Sequence, residues 1–292
     1  MRILVTGAYG LLGTVLCKYL NSKGHKIFKQ GRGENAEWRS DLSKSDDAYN
    51  LLKQTEPDVI INLIAMTNVD ECEKNPQAAY RANVRSIAIL SEGLKNLSCH
   101  LIHISSDQVY DGPGPHAEFE VDPCNLYGLT KYAGELHANK VGATVLRTNF
   151  VGRSHVPGRI SFTDWLVKAF RQHEKITLFN DLRFSAMHTS KLCEVLEITC
   201  SLRPVGVFNV GSRDSMCKAS FGLELAKLLI LDSSQVNIAQ TADQNLVARR
   251  PLDMSLMIHR FEQEFRMTLP TMSQTLKCVA ADYNEDITDA TA

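Results

Sequence analysis

The first thirteen residues constrain this chain more than any other stretch. A β-branched run, Arg2–Thr6, leads directly into Gly7-Ala8-Tyr9-Gly10-Leu11-Leu12-Gly13, and an amphipathic segment follows with Leu11, Val15 and Leu16 on one face. A G-x-x-G-x-x-G pattern set between a strand and a helix predicts a dinucleotide-binding βα turn. One glycine permits the tight turn, one lets backbone approach a pyrophosphate, and one lets the helix pack close to the sheet. The helix amino terminus offers unpaired N–H groups and a partial positive charge to the phosphates. No Gly-Lys-Ser/Thr follows, so the phosphate loop of a nucleoside triphosphatase is disfavoured.

Beyond this turn, strand-like and helix-like segments alternate. Strands are expected at His25–Lys29, Asp58–Leu63, His100–Ser105 and Ala143–Thr148, with helices at Gly10–Ser22, Gln77–Lys95 and Leu126–Asn139. Such alternation implies right-handed βαβ crossovers and a parallel sheet covered on both faces, an α/β doubly wound Rossmann-type fold. Later segments are less regular. Helices are expected at Ser161–Gln172, Ser190–Ser201, Lys218–Leu231 and Ser255–Arg266, and strands at Lys175–Phe179 and Gly206–Val210. The expected organisation is an NAD(P)-binding domain over 1–150 and a smaller substrate-binding region over 151–281. Residues from about 182 to 212 return to the first domain, and an acidic, frayed tail covers 282–292.

Composition narrows the function. A hydrophobic content of 44% suits a soluble core, and a formal net charge of -1 gives no electrostatic reason to expect nucleic acid or an anionic membrane. No apolar run is long enough to span a bilayer, and the amino terminus reads as a strand rather than a signal peptide. The eight cysteines form no Cys-x-x-Cys pair, so free thiols in a reducing cytoplasm are favoured over a disulfide framework or a metal site.

The end of the second strand reads Gln30-Gly31-Arg32-Gly33-Glu34. An acid here would hold the ribose 2′-OH of NAD, whereas Arg32 can pair with the 2′-phosphate of NADP. Arg32 can equally be a solvated loop residue and Glu34 can serve NAD, so the cofactor stays NADP or NAD, with NADP slightly favoured. Asp41, with Leu42 beside it, is a candidate for the adenine amine.

Tyr127-Gly128-Leu129-Thr130-Lys131 places a phenol and an ammonium four apart on a helix, hence on one face. A nearby positive charge favours the phenolate, so Lys131 is expected to lower the Tyr127 pKa and tune it for proton transfer at a carbonyl. Ser106 follows an apolar strand, at the carboxyl end where ligands bind in open α/β sheets, and its hydroxyl can hydrogen-bond the same carbonyl oxygen.

Together these residues resemble the extended short-chain dehydrogenase/reductase superfamily, and more narrowly its dTDP-4-dehydrorhamnose reductase-like branch. Asn62-Leu63-Ile64-Ala65-Met66-Thr67-Asn68-Val69-Asp70, Tyr80-Arg81-Ala82-Asn83, Ser105-Ser106-Asp107, Leu146-Arg147-Thr148 and Arg249-Arg250-Pro251 are similar to that branch. The resemblance implies a catalytic set of Ser106, Tyr127 and Lys131. It implies pyrophosphate contacts at Gly7, Gly10, Leu11 and Leu12, and a cofactor wall of Ala65, Met66 and Thr67 with Asn83 behind it. Asp107 would touch the sugar, and Phe150, Arg183 and Arg250 would serve the nucleotide-sugar substrate. The chain departs from the branch at Phe150, where tryptophan is usual, and at Val15, where some relatives carry a metal-binding acid, so no metal is expected.

Three functions compete: a reductase of a nucleotide-linked 4-keto-6-deoxy sugar, a sugar-nucleotide epimerase with retained NAD, and a non-catalytic NADP-binding regulatory subunit. Gln108 stands where the dehydratases carry a glutamate base, and an amide cannot take that proton. The intact Ser106, Tyr127 and Lys131 set weighs against a subunit that only binds. A homodimer is plausible by analogy.

Overall fold

The computed structural model describes residues 1–95 and 97–289. Seven strands form one parallel sheet: β1 (Arg2–Thr6), β2 (Lys26–Gly31), β3 (Trp38–Arg39), β4 (Val59–Asn62), β5 (His100–Ser106), β6 (Thr144–Thr148) and, later in the chain, β11 (Gly206–Val210), in the order β11-β6-β5-β4-β1-β2-β3. Every residue of β4 is buried, as a central strand covered on both faces requires. The doubly wound Rossmann-type sheet expected from the alternation of segments is the sheet that forms.

Helices cover both faces. On one, α1 (Leu11–Ser22), α8 (Thr189–Leu202) and α10 (His259–Phe265) bury Leu12, Leu16, Leu196 and Phe261 against the sheet. On the other, α2 (Ser45–Thr55), α5 (Ser86–Leu94) and α6 (Leu126–Asn139) bury Leu51, Leu52, Leu90 and Ala138. Strand order reverses between β1 and β4, and a crevice opens there beyond the strands' carboxyl ends.

A second core lies outside the large sheet. It joins α7 (Phe162–Arg171), α9 (Lys218–Leu228) and α11 (Met272–Asp289) through Leu166, Phe170, Phe184, Phe221, Leu276 and Val279. Three small sheets brace it. β7 (Phe150–Val151) pairs with β10 (Met187–His188), β8 (Ile176–Phe179) with β13 (Val236–Ala239), and β9 (Arg183–Phe184) with β12 (Met216–Cys217) and β14 (Asp253–Met254).

Three segments differ from expectation. The helix expected over Gln77–Lys95 is broken into α4 (Pro76–Tyr80), a π-helical turn at Arg81–Arg85, and α5; α3 (Val69–Lys74) precedes it. The π turn admits buried Asn83, whose amide accepts from Met66 N at 2.7 Å and donates to Thr130 Oγ1 at 2.9 Å. The helix expected over Ser255–Arg266 is confined to α10, because Leu256 first forms a bridge with His116. The segment expected to fray from 282 continues α11 to Asp289, with Tyr283 buried and its hydroxyl donating to Asp164 at 2.8 Å. Residues 290–292 lie outside the described residues.

Candidate active site

The crevice at the β1/β4 switch is a cleft of about 830 Å³. Its floor is the glycine turn. Gly7 has φ +67, and a Cβ there would stand 3.2 Å from the backbone of Leu63 and Ile64, so only glycine lets β1 leave the sheet past β4. Gly7 N donates to Gln30 Oε1 at 3.1 Å, which ties the turn to β2. Gly10 is the extended residue before α1, whose first N–H groups therefore face the cleft.

Arg32, Asp41 and Leu42 line the cleft beyond β2, with Ser43 next to them. Burial raises the Asp41 carboxyl, but the Ser43 hydroxyl and N–H, helped by Arg32, bring it below the usual carboxylate range. Ala65, Met66 and Thr67 line the opposite wall after β4. Asn83 is behind them and grips both polar atoms of the Met66 backbone.

Ser106 ends β5, and Tyr127 and Lys131 come from the first turns of α6. All three line the cleft. The pieces are held tightly together. Asn125 caps α6 through Gly128 N at 2.8 Å, and a Cβ on Gly128 would stand 2.1 Å from Gln108 O, so α6 presses directly on the short turn Asp107–Val109. The Ser106 hydroxyl accepts from Gln108 N and donates to Asp107, both at 3.1 Å. Gln108 itself accepts from Asn125 at 3.1 Å.

The electrostatics differ from the expectation drawn from the Tyr-x-x-x-Lys spacing. Burial pushes the Tyr127 phenol up, the Ser106 hydroxyl pulls it down, and the Asp107 charge raises it again, so the phenol is held protonated. Lys131 is itself 2% exposed, and burial brings its ammonium down to about 8 while it donates to Ile104 O at 2.7 Å. Desolvation is the largest influence on this phenol, and Lys131 is not among the groups that shift it.

On the far side, Asp107, Asn149 and Phe150 line the cleft, and Asn149 donates to Asp107 at 2.6 Å. Arg183 and Arg250 are not among the lining residues. Arg183 donates to Ser215 Oγ at 2.9 Å, and Arg250 spans Asp70 and Ala248 O, each at 2.8 Å, fixing a loop to α3. Among the described residues no cluster of three metal ligands occurs, and no helix is long and apolar enough to cross a membrane.

Two cations escaped the sequence reading. Lys218, at the start of α9, holds its ammonium 3.5 Å from the Phe184 ring centre and 4.4 Å from that of Phe162. Burial lowers it to about 8 against the pull of Asp107. Arg159 lines the cleft from the segment before α7. Neither sits in a recognisable local pattern: Arg159 reaches the cleft, and Lys218 comes beside Asp107 behind Phe162, only through the folding of the second core onto the first.

The RmlD substrate binding domain family matches residues 1–285. The chain belongs to that family. A probable low-salt glycan biosynthesis reductase, Agl14 of Haloferax volcanii, is 28% identical across 98% of this chain and 99% of its own length. Methionine adenosyltransferase 2 subunit beta of Rattus norvegicus is 36% identical, over 50% of this chain and 46% of its own. The dTDP-4-dehydrorhamnose reductase of Bacillus anthracis, crystallised with NADP, superposes with a TM-score of 0.87 at 22% identity, covering 95% of this chain and 98% of that one. An RmlD-family chain thus keeps the doubly wound sheet with a second core beside its cleft.

Proposed function

We propose that this chain reduces a nucleotide-linked 4-keto-6-deoxy sugar with NADPH, in the manner of a dTDP-4-dehydrorhamnose reductase. The observation that carries the reading is the convergence of Ser106, Tyr127 and Lys131 on the same cleft as the glycine turn. The reductase name of the full-length archaeal relative supports it.

The residues fit a dinucleotide. The turn at Gly7 and Gly10 leaves backbone bare where a pyrophosphate must approach, and the start of α1 supplies N–H donors. Ala65, Met66 and Thr67 would flank the nicotinamide end. Arg32 lines the cleft and Glu34 does not, which favours the 2′-phosphate of NADP over the free hydroxyl of NAD. The bound cofactor would supply the hydride.

The protein supplies the proton and the positioning. Tyr127, kept protonated by burial, gives its hydroxyl proton to the carbonyl oxygen of the sugar. Lys131 would stabilise the phenolate left behind and would hold a ribose hydroxyl of the cofactor. Ser106 donates to the same carbonyl oxygen and aligns it. Asp107 and Asn149 meet the sugar's hydroxyls. The second core, built on α7, α9 and α11, holds the nucleotide, and Phe150 offers a ring to it.

The 36% match to methionine adenosyltransferase 2 subunit beta over half the chain keeps a binding-only function as the second reading. One assay separates the two. Purified protein with NADPH and a dTDP-4-keto-6-deoxyhexose should oxidise cofactor in proportion to sugar, and Tyr127→Phe should lose at least about a hundredfold in kcat, the usual worth of a general acid, while still binding NADPH. Tight cofactor binding with no oxidation in the unaltered protein selects the regulatory subunit. Sugar isomerisation without net oxidation selects an epimerase.

A further inference from the structure

Arg159 stands apart from the cations already given a task. It belongs to the second half of the chain, yet its Nη1 stands 3.7 Å from the place a Cβ on Gly10 would occupy. Its guanidinium therefore lies directly over the glycine turn, on the side from which phosphates must come. Among the described residues it has no ion-pair or side-chain hydrogen-bond partner, so its five donors are free for a ligand.

The fold holds it there. The segment carrying Arg159 is pinned at one end by Arg153, whose N–H donates to Asp282 Oδ2 at 3.0 Å and whose guanidinium donates to Asp282 O at 3.0 Å. At the other end Asp164 takes N–H donations from Ser154 at 3.0 Å and Ser161 at 2.8 Å, while Ser161 caps α7 in return. Between these anchors the chain reverses at Gly158, with φ +72, and Arg159 N closes the turn onto Val156 O at 3.1 Å. A loop fastened at both ends delivers one unpaired guanidinium to the mouth of the cleft.

We infer that Arg159 is a cross-cleft clamp on the pyrophosphate of the bound dinucleotide, closing from the second core onto the glycine turn. The inference rests on the dinucleotide reading above. A guanidinium fork matches two phosphate oxygens. The N–H groups of α1 would hold the pyrophosphate from one side and Arg159 from the other. The segment that carries Arg159 borders the substrate side through Phe162, so the clamp joins the cofactor and substrate parts of the cleft.

The test measures binding, not turnover. The dissociation constants of NADPH, ADP-ribose and 2′-AMP are compared for the unaltered protein, Arg159→Met and Arg159→Lys. Arg159 is exposed, so neither substitution threatens the fold. Arg159→Met should weaken NADPH and ADP-ribose alike by about tenfold, the worth of one charge-assisted hydrogen bond. It should leave 2′-AMP, which lacks a pyrophosphate, unchanged, and Arg159→Lys should recover part of the loss. Unchanged ADP-ribose binding in Arg159→Met overturns the clamp, including the case where only the KM for the sugar nucleotide rises. If the unaltered protein binds neither NADPH nor ADP-ribose, the dinucleotide reading fails and takes the clamp with it.

Discussion

Removing the carboxylate of Glu135 should be among the most damaging single changes outside the cleft. Glu135 is 0% exposed and Arg147 2%, and they meet through three contacts, Nε to the two carboxylate oxygens at 2.9 and 3.1 Å and Nη2 at 2.6 Å. Burial opposes the Arg147 charge, but Glu135 more than offsets it and drives the guanidinium further from deprotonation. In Glu135→Leu, Nη1 keeps Tyr110 and Glu118 O, while Nε and Nη2 lose their acceptors. The Ser105 hydroxyl, which donates to Glu135 at 2.5 Å one residue before Ser106, loses its acceptor as well. Breaking a buried pair from one side costs about 3–5 kcal/mol. At roughly 2–4 °C per kcal/mol for a chain of this size, the melting temperature should fall on the order of 10 °C. Glu135→Leu/Arg147→Met removes both charges and should recover most of the loss. Melts followed by circular dichroism across the double-mutant cycle give the coupling. A loss below about 1 kcal/mol in the single variant, or a double variant as damaged as the single, would refute the reasoning.

Lys131 should show itself in alkaline titration. Its folded pKa of about 8 lies below the 10.5 of a free lysine, so the native state binds fewer protons between those values and its stability contribution rises with pH across that window. Lys131→Met should therefore be more stable than the unaltered protein near neutrality, by roughly 3 kcal/mol, and the gap should close by about pH 10.5; a gap independent of pH contradicts this. Activity should move the other way, with kcat/KM falling as pH rises through about 8 and the ammonium is lost. Lys218→Met keeps the apolar stem between Phe162 and Phe184 and should raise the KM for the sugar nucleotide about tenfold with NADPH affinity unchanged; an unaltered KM removes Lys218 from the substrate side.

What could be read from sequence was what local pattern encodes. The glycine turn, the nearly all-apolar strand expected over Asp58–Leu63 and the Tyr127–Lys131 pair each carry their signal within a few residues, and α6 and β11 have the bounds expected for them. Partnerships made by tertiary packing were not legible. The apolar spacing from 77 to 95 reads as one helix because a π turn leaves most of the pattern intact, and only the bonds from Asn83 to Met66 and Thr130 explain the break. Arg250 resembled a phosphate ligand, yet Asp70, 180 residues earlier, takes its guanidinium. Asp282 and Tyr283, at the start of the segment expected to fray, looked free because their anchors are distant: Asp282 accepts from His188 at 2.9 Å and Tyr283 donates to Thr163 at 2.9 Å. The lowered phenol expected from Lys131 missed how completely α6 buries both groups.

The central claim is net hydride transfer to a sugar carbonyl with Tyr127 as the acid. It is tested most directly by supplying NADPH deuterated at the transferable position of its nicotinamide, with a dTDP-4-keto-6-deoxyhexose, and locating deuterium in the product by mass spectrometry and NMR. The account predicts one deuterium on C4 of the sugar for each cofactor oxidised, and none with Tyr127→Phe. Deuterium retained in the cofactor, with the sugar unchanged or merely isomerised, would contradict it.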